Sequence, residues 1–181
     1  MVNNLPRFSR HVASLQRARG FTLVEIVTVV TIVGVIAALG APSFAELMRS
    51  QRIKGTATDL MSTLDFARSE AVKRNANVTV AATTISGSSS CNNGWTVSYD
   101  SGGTTVTPRV QPQLVQLSVT PSPSSLTAIT FGGGGRADVT ANFTVESSPQ
   151  SNNSTRCVEV RADGVPRAWL ERTGNHSCSD E

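Results

Sequence analysis

The chain has 181 residues, enough for one domain of ordinary size together with a membrane segment. Its formal net charge is +3, but without the first 20 residues the 16 basic residues fall to 12 against the same 13 acidic ones, a charge of −1. The basic balance therefore does not indicate a nucleic-acid-binding protein.

The first element is an apolar run, residues 21–41, that follows a basic N-terminus. As a helix it would be about 30 Å long, which matches one hydrocarbon core. A secretory signal peptide has a shorter apolar core, of about 7–15 residues. Because basic flanks stay cytoplasmic, the run predicts a single membrane pass with the C-terminal part exported to the periplasm.

Glu25 lies almost at the start of this apolar run. A carboxylate costs about 2.5–3.5 kcal/mol at the centre of a bilayer and less near its edge. One interpretation is that Glu25 simply reaches the headgroups. The other is that its carboxylate pairs with a positively charged group. If the chain is cut after Gly20, the new ammonium of Phe21 lies one helical turn away, in the same subunit or in a neighbour.

The stretch RGFTLVE at residues 19–25 resembles the prepilin peptidase signature of the type IV pilin and pseudopilin superfamily. The resemblance implies cleavage between Gly20 and Phe21, N-methylation of Phe21, and an assembly contact made by Glu25. Residues 1–20 would be a cytoplasmic leader that is removed. The partners it implies are the prepilin peptidase, the inner membrane, and other major and minor pilins.

Gly34, Gly40 and Pro42 interrupt the apolar segment and predict a helix break, since proline removes a helical hydrogen bond. The alternative is that a membrane helix tolerates these residues without breaking. The family resemblance adds that such helices unwind locally once packed in a filament. We assign residues 21–45 to the transmembrane and assembly half of the helix and residues 46–76 to an amphipathic half. An apolar stripe at helical spacing predicts that this second half packs on a sheet; it comprises Ile53, Ala57, Leu60, Leu64, Ala67 and Ala71.

The helix is expected to end near residues 74–77, where basic residues and asparagine favour a stop. The stretch LDFARSEAVKRNANVTV at residues 64–80 resembles the FimT/FimU and GspH group of minor pilins and pseudopilins. Residues 131–145 and 156–170 are similar to more degenerate versions of that group's strand motifs.

Residues 77–181 are expected to form an exported β-rich domain. Short β-like segments predict seven strands, at residues 78–85, 95–99, 114–119, 126–131, 142–146, 156–162 and 165–170. The Asp-Gly pair in residues 162–165 predicts a hairpin with a two-residue loop, in which Val158 faces Trp169 and Val160 faces Arg167. The glycines at 132–135 are interpreted as a flexible turn, because no Lys-Ser/Thr follows as in a phosphate loop.

The three cysteines are Cys91, Cys157 and Cys178. An odd number in an exported chain favours one disulfide and one leftover thiol, and we predict the bond Cys157–Cys178 with Cys91 left over. Three free thiols are the alternative. A metal site from Cys157, His176 and Cys178 would lack a fourth ligand, so no metal and no cofactor are predicted.

Catalysis has little support, because the only histidine after residue 20 is His176 in a polar tail. The resemblance implies DNA binding as an alternative, because FimT-like pilins that serve natural transformation bind DNA through a Gly-Arg-x-Arg-type motif. Here the matching residues are Gly164 and Arg167, and a valine replaces the first arginine. Arg156, Arg167 and Arg172 are the candidate DNA contacts. Acidic residues interleave with them, and phosphate binding needs unopposed cations, so a solvated charged surface is favoured.

These patterns predict an α+β fold in which a long N-terminal helix, half of it transmembrane, packs on an antiparallel β-sheet domain. The predicted function is that of a FimT/FimU-type minor pilin in type IV pilus initiation or assembly, located in the inner membrane and then in the pilus. The alternatives are a GspH-type minor pseudopilin of type II secretion and a DNA-binding pilin for natural transformation.

Overall fold

The computed structural model describes residues 20–83, 90–148, 155–171 and 178. Within these ranges a long helix, α1 (Leu23–Arg74), precedes eight strands. These are β1 (Val78–Ala82), β2 (Trp95–Ser101), β3 (Thr104–Gln111), β4 (Leu117–Ser122), β5 (Ala128–Phe131), β6 (Ala141–Ser147), β7 (Arg156–Val160) and β8 (Pro166–Leu170), with a short 3₁₀ turn at Cys91–Asn93. By its internal contacts the chain divides into two compact units, between Pro42 and Ser43.

The strands form two antiparallel four-stranded sheets, in the orders β3-β2-β1-β5 and β4-β6-β7-β8. The α+β class is confirmed, and the β part consists of two sheets where the sequence suggested one. Both sheets supply apolar side chains to a single core that also contains the C-terminal half of α1. The predicted stripe from Ile53 to Ala71 is confirmed, because all six of its side chains are at most 3% exposed.

The end of α1 is a Schellman cap, as the basic and asparagine residues there indicated. Asn75 has a left-handed φ of 50° and donates its N–H to the carbonyl of Val72 at 3.3 Å, while Ala76 donates to that of Ala71 at 3.2 Å. These two hydrogen bonds satisfy carbonyls that a helix end leaves without partners. Arg74, the last helical residue, pairs with Glu70 and stacks over Tyr99, 3.8 Å from the ring centre, so it ties the helix end to β2.

The predicted helix break at Gly34, Gly40 and Pro42 is absent from this single chain. The helix continues through all three residues, from Leu23 to Arg74. A proline within a helix removes one backbone hydrogen bond, and here the helix continues on both sides of Pro42. Unwinding inside a filament is a separate expectation, and it stays a prediction.

Strand β3 was missed from the sequence because Pro108 lies within it. β3 is an edge strand, where a missing N–H is tolerated. Its hairpin partner is β2, and Ser101 pairs with Thr104 across a two-residue loop of Gly102 and Gly103. Both glycines have positive φ, 65° and 84°, as a type I′ hairpin turn requires.

The predicted register of the β7–β8 hairpin is wrong by one residue. Cys157 pairs with Trp169, and Val158 pairs with Ala168. A two-residue type I′ loop needs positive φ at both central residues, but here only Gly164 has it, at 75°. The turn is closed instead by the Gly164 N–H, which donates to the carbonyl of Arg161 at 2.8 Å. The loop therefore spans residues 161–165, and every β8 side chain changes face.

The glycine-rich turn after β5 is packed closely against its neighbours. The carbonyl of Gly135 accepts a bond from Nε of Arg68 on α1, at 3.0 Å. A Cβ added to Gly164 would lie 2.0 Å from that same carbonyl oxygen. Two turns from distant parts of the chain thus meet beside the helix, and there is no room for a side chain at Gly164.

Candidate assembly surface

The N-terminal turn of α1 places Glu25 in a fixed backbone position. Thr22 precedes the first helical residue, and its Oγ1 accepts the N–H of Glu25 at 3.2 Å. This is the first half of a capping box, in which Ser or Thr lies three residues before Glu. An acidic side chain in the first turn is also favoured by the helix dipole. Pairing of Glu25 with a Phe21 ammonium requires cleavage after Gly20 and stays a prediction.

The side chains that follow form one exposed apolar surface. Every residue from Gly20 to Ala41 is exposed. The large apolar ones up to residue 48 are 43–80% exposed; they are Phe21, Leu23, Val24, Ile26, Val27, Val29, Val30, Ile32, Val33, Val35, Ile36, Leu39, Phe44, Leu47 and Met48. An apolar surface of this size marks an interface with lipid or protein. By length and composition, α1 has one stretch that would be able to cross a membrane.

The hydroxyls of Thr28 and Thr31, inside this surface, are bonded within the helix. Oγ1 of Thr28 donates to the carbonyl of Glu25 at 2.9 Å, and Oγ1 of Thr31 donates to that of Val27 at 2.7 Å. Hydroxyls bonded in this way enter an apolar environment without the full cost of an unmade hydrogen bond. The apolar segment is therefore suited to lipid or to the interior of an assembly along its length.

The candidate DNA contacts do not form one basic group. Glu159 lies opposite Arg167, and Arg156 lies opposite Leu170, so Arg156 and Arg167 project from opposite faces of the sheet. The Arg167 guanidinium is 3.8 Å from the Asp163 carboxylate, and Arg161 pairs with the buried Glu159. Arg172 lies outside the described residues.

The predicted disulfide Cys157–Cys178 is confirmed, with the two Cα atoms 5.5 Å apart. Cys91 is the leftover thiol, as predicted. It is the first residue of the 3₁₀ turn and is 6% exposed in the core, and burial raises its pKa to about 11. Since the disulfide occupies both sulfurs, the considered metal site from Cys157, Cys178 and His176 is not supported; His176 lies outside the described residues. Within the described ranges no group of three or more metal-binding side chains occurs.

One polar recess was not predicted from the sequence. Arg49 and Arg52 on α1 line it together with residues 116–117 before and within β4 and residues 147–148 at the end of β6. Nη1 of Arg52 donates to Oε1 of Gln116 at 3.2 Å, across 64 residues of chain. The helical pattern placed both arginines off the apolar stripe but gave no indication of which loop would meet them.

Two models of known protein families match the chain. Residues 56–164 match the family model described as "Type II transport protein GspH", and residues 15–41 match "Prokaryotic N-terminal methylation motif". No curated protein sequence matches the chain.

Two crystal structures of the type IV minor pilin FimU of Pseudomonas aeruginosa have a similar fold. The crystal form in space group P21 has a TM-score of 0.55 and 18% identity, over 67% of this chain and 90% of FimU. The form in space group P65 has a TM-score of 0.53 and 19% identity, over 66% and 92%.

Proposed function

Since the chain belongs to the family described as Type II transport protein GspH and is a type IV pilin-like minor pilin, we propose that it is a structural subunit of a type IV pilus, acting in initiation or assembly. The exposed apolar half of α1 carries this proposal. Exposing more than a dozen large apolar side chains to water is unfavourable. They are therefore covered first by lipid and then by other subunits. The similar fold of FimU, which is a type IV minor pilin, supports a type IV pilus as the assembly that contains this subunit.

Processing is the first step of the proposed pathway. The prepilin peptidase cuts between Gly20 and Phe21, removes the cytoplasmic leader at residues 1–20, and the new N-terminus of Phe21 is methylated. Residues 21–45 then cross the inner membrane once, and residues 77–181 lie in the periplasm. The match of residues 15–41 to a methylation motif supports this order of events.

Glu25 acts in the next step, when the subunit leaves the lipid. Its carboxylate pairs with the Phe21 ammonium of its own chain or of a neighbour, so that neither charge is left alone in an apolar environment. The cap between Thr22 and Glu25 supports this role, because it holds the backbone of Glu25 at a fixed place in the first turn. The partners are other major and minor pilins.

A second candidate is a GspH-type minor pseudopilin in a type II secretion pseudopilus. The match of residues 56–164 favours it, since the matching family is described by type II transport.

DNA binding receives less support, because Arg156 and Arg167 project from opposite faces of the sheet and acidic side chains lie beside Arg161 and Arg167.

Surface pilus counts in a strain lacking the gene separate the two candidates, with a complemented strain as the control. Loss of pili that complementation restores supports the pilus. Normal pili together with retention of normally secreted proteins inside the cell would overturn the pilus assignment in favour of the secretion pseudopilus.

Substituting Gly20 with a bulky residue tests the cleavage site. The substitution should block processing, and a leaderless N-terminus in that variant would contradict cleavage after Gly20.

A further inference from the structure

The polar recess beside α1 is a built feature of the C-terminal unit. Its volume is about 40 Å³, and it is lined by Arg49, Arg52, Gln116, Leu117, Ser147 and Ser148. Gln116 has a left-handed φ of 59°. It accepts a bond from Arg52 on one side and, through its carbonyl, from the Ser148 N–H at 3.0 Å on the other. Helix and sheet together therefore hold this corner of the recess in place.

The chemistry of the lining is that of an anion site. A guanidinium carries five N–H donors in a planar fork that matches phosphate oxygens, and the bond to Gln116 occupies one of them in Arg52. Arg49 is half-exposed and contacts Glu46 only at 3.8 Å. Across residues 43–54 of the helix, three basic side chains, Arg49, Arg52 and Lys54, outnumber the single acidic one.

Two exposed apolar residues are direct chain neighbours of the recess residues. Val115, directly before Gln116, is 73% exposed, although its loop is anchored by the Leu114 N–H, which donates to the carbonyl of Asn92 at 2.9 Å. On the helix, Met48, directly before Arg49, is 43% exposed. A surface that combines exposed apolar side chains with arginines is suited to the interface between hydrocarbon and headgroups.

The spacing along the helix agrees with that location. Residues 21–45 form the membrane-crossing half, and at about 1.5 Å per residue the helix rises about 6 Å from Ala45 to Arg49 and about 10 Å from Ala45 to Arg52. The headgroup layer on one side of a bilayer is about 5–8 Å thick. Arg49 therefore lies within this layer, and the long side chain of Arg52 can reach back into it.

We propose that this recess binds the phosphodiester of an anionic phospholipid, with Val115 in contact with the membrane surface, while the subunit waits in the lipid before assembly. The proposal rests on the membrane-anchored state described under the proposed function. Docking would hold the C-terminal domain against the bilayer, and extraction into a filament would have to break the phosphate contact.

The test uses the full chain in vesicles, with a fluorophore on Val115→Cys and an acceptor on the lipid headgroups. Flotation with the vesicles is measured first, and an unsubstituted chain controls for labelling at Cys91. We expect energy transfer in phosphatidylcholine vesicles that contain phosphatidylglycerol, and little in phosphatidylcholine alone. A basic residue near an anionic surface strengthens binding by about five-fold. Arg49→Gln and Arg52→Gln should therefore each lower the ratio of docked to undocked chains by about five-fold.

Two controls give the test its specificity. Lys73→Gln with Arg136→Gln removes two positive charges, as many as Arg49→Gln and Arg52→Gln together, from exposed positions near the far end of α1, and it should leave the transfer unchanged. A fluorophore on Thr104→Cys, beside the β2–β3 turn, should show no dependence on phosphatidylglycerol.

Three results would overturn the inference. These are equal transfer in both lipids, loss of transfer in the Lys73 and Arg136 control as large as in the arginine variants, and transfer that depends on added pilin and not on the lipid. A chain that fails to float contradicts the anchored state itself, whereas one that floats without lipid-dependent transfer contradicts only the docking.

Discussion

Nε1 of Trp95 donates to Oγ1 of Thr63 at 3.3 Å, and both side chains are buried, at 1% and 0% exposure. The same hydroxyl donates to the carbonyl of Asp59 at 2.7 Å. Thr63 therefore joins the first residue of β2 to the helix through a polar contact inside an otherwise apolar core. A buried indole N–H without an acceptor costs about 1–3 kcal/mol.

Thr63→Val tests this contact, because valine keeps the shape of threonine and removes the oxygen. We expect the free energy of unfolding to fall by about 1–3 kcal/mol, seen as a melting temperature lower by several degrees in circular dichroism. Thr63→Ser keeps the hydroxyl and should cost less. Equal losses in the two variants would mean that packing, and not the hydrogen bond, determines the effect.

Gly164→Ala should destabilise the domain by at least about 2 kcal/mol. A Cβ at this left-handed position would lie 2.0 Å from the carbonyl oxygen of Gly135, which is backbone and cannot rotate away. Gly134→Ala is the matched control, because a Cβ there has nothing within 4 Å. Urea denaturation of both variants checks the difference, and similar midpoints would contradict the close contact between the two turns.

The disulfide Cys157–Cys178 should contribute about 3 kcal/mol, since it closes a loop with a sequence separation of 21 residues. We expect paired Cys157→Ser and Cys178→Ser substitutions to lower stability by about that amount. Reduction of the unsubstituted chain should have a similar effect, while reduction should not change the double variant. A reductant-dependent shift in the double variant would point to a bond involving Cys91.

Cys91 should make stability depend on pH above 9. Burial raises its pKa from 9.0 to about 11, so the folded chain keeps the proton in a range where the unfolded chain has lost it. The free energy of unfolding therefore falls as pH rises from about 9 to 11, by about 2–3 kcal/mol for a shift of this size.

The measurement is urea denaturation across this pH range, for the unsubstituted chain and for Cys91→Ala. The alanine variant controls for tyrosine and lysine titration and should lack this part of the fall. Native Cys91 should also resist a thiol reagent at pH 8 and react once the chain is unfolded. Parallel pH profiles for the two proteins would contradict the assignment.

Two elements with local signals, the apolar stripe and the end of the helix, were predicted from the sequence and are confirmed. The stripe from Ile53 to Ala71 follows the helical repeat, and Asn75 ends the helix by a cap that depends on a few neighbouring residues. β3 was missed because Pro108 argues against a central strand, and edge position is a property of the whole sheet.

The β7–β8 register and the polar recess depend on contacts that sequence spacing does not report. Gly164 packs on Gly135 in a separate turn, and Arg52 meets Gln116 from 64 residues away. The error of one residue in the register also changed the candidate site, because it moved Arg167 to the face opposite Arg156.

Glu25→Gln should leave processing intact and reduce incorporation into the filament by at least about ten-fold. The variant keeps the backbone bond from residue 25 to Thr22, so the helix cap remains, but it leaves the Phe21 ammonium without a counter-charge. Breaking a buried ion pair costs about 3–5 kcal/mol, and each 1.4 kcal/mol corresponds to ten-fold in an equilibrium. Glu46→Gln is the control, because it removes the same charge from an exposed position on the same helix. N-terminal sequencing reports cleavage and immunoblots of sheared filaments report incorporation. Normal incorporation of the Glu25 variant would refute the pairing, and loss in both variants would indicate a general effect of charge.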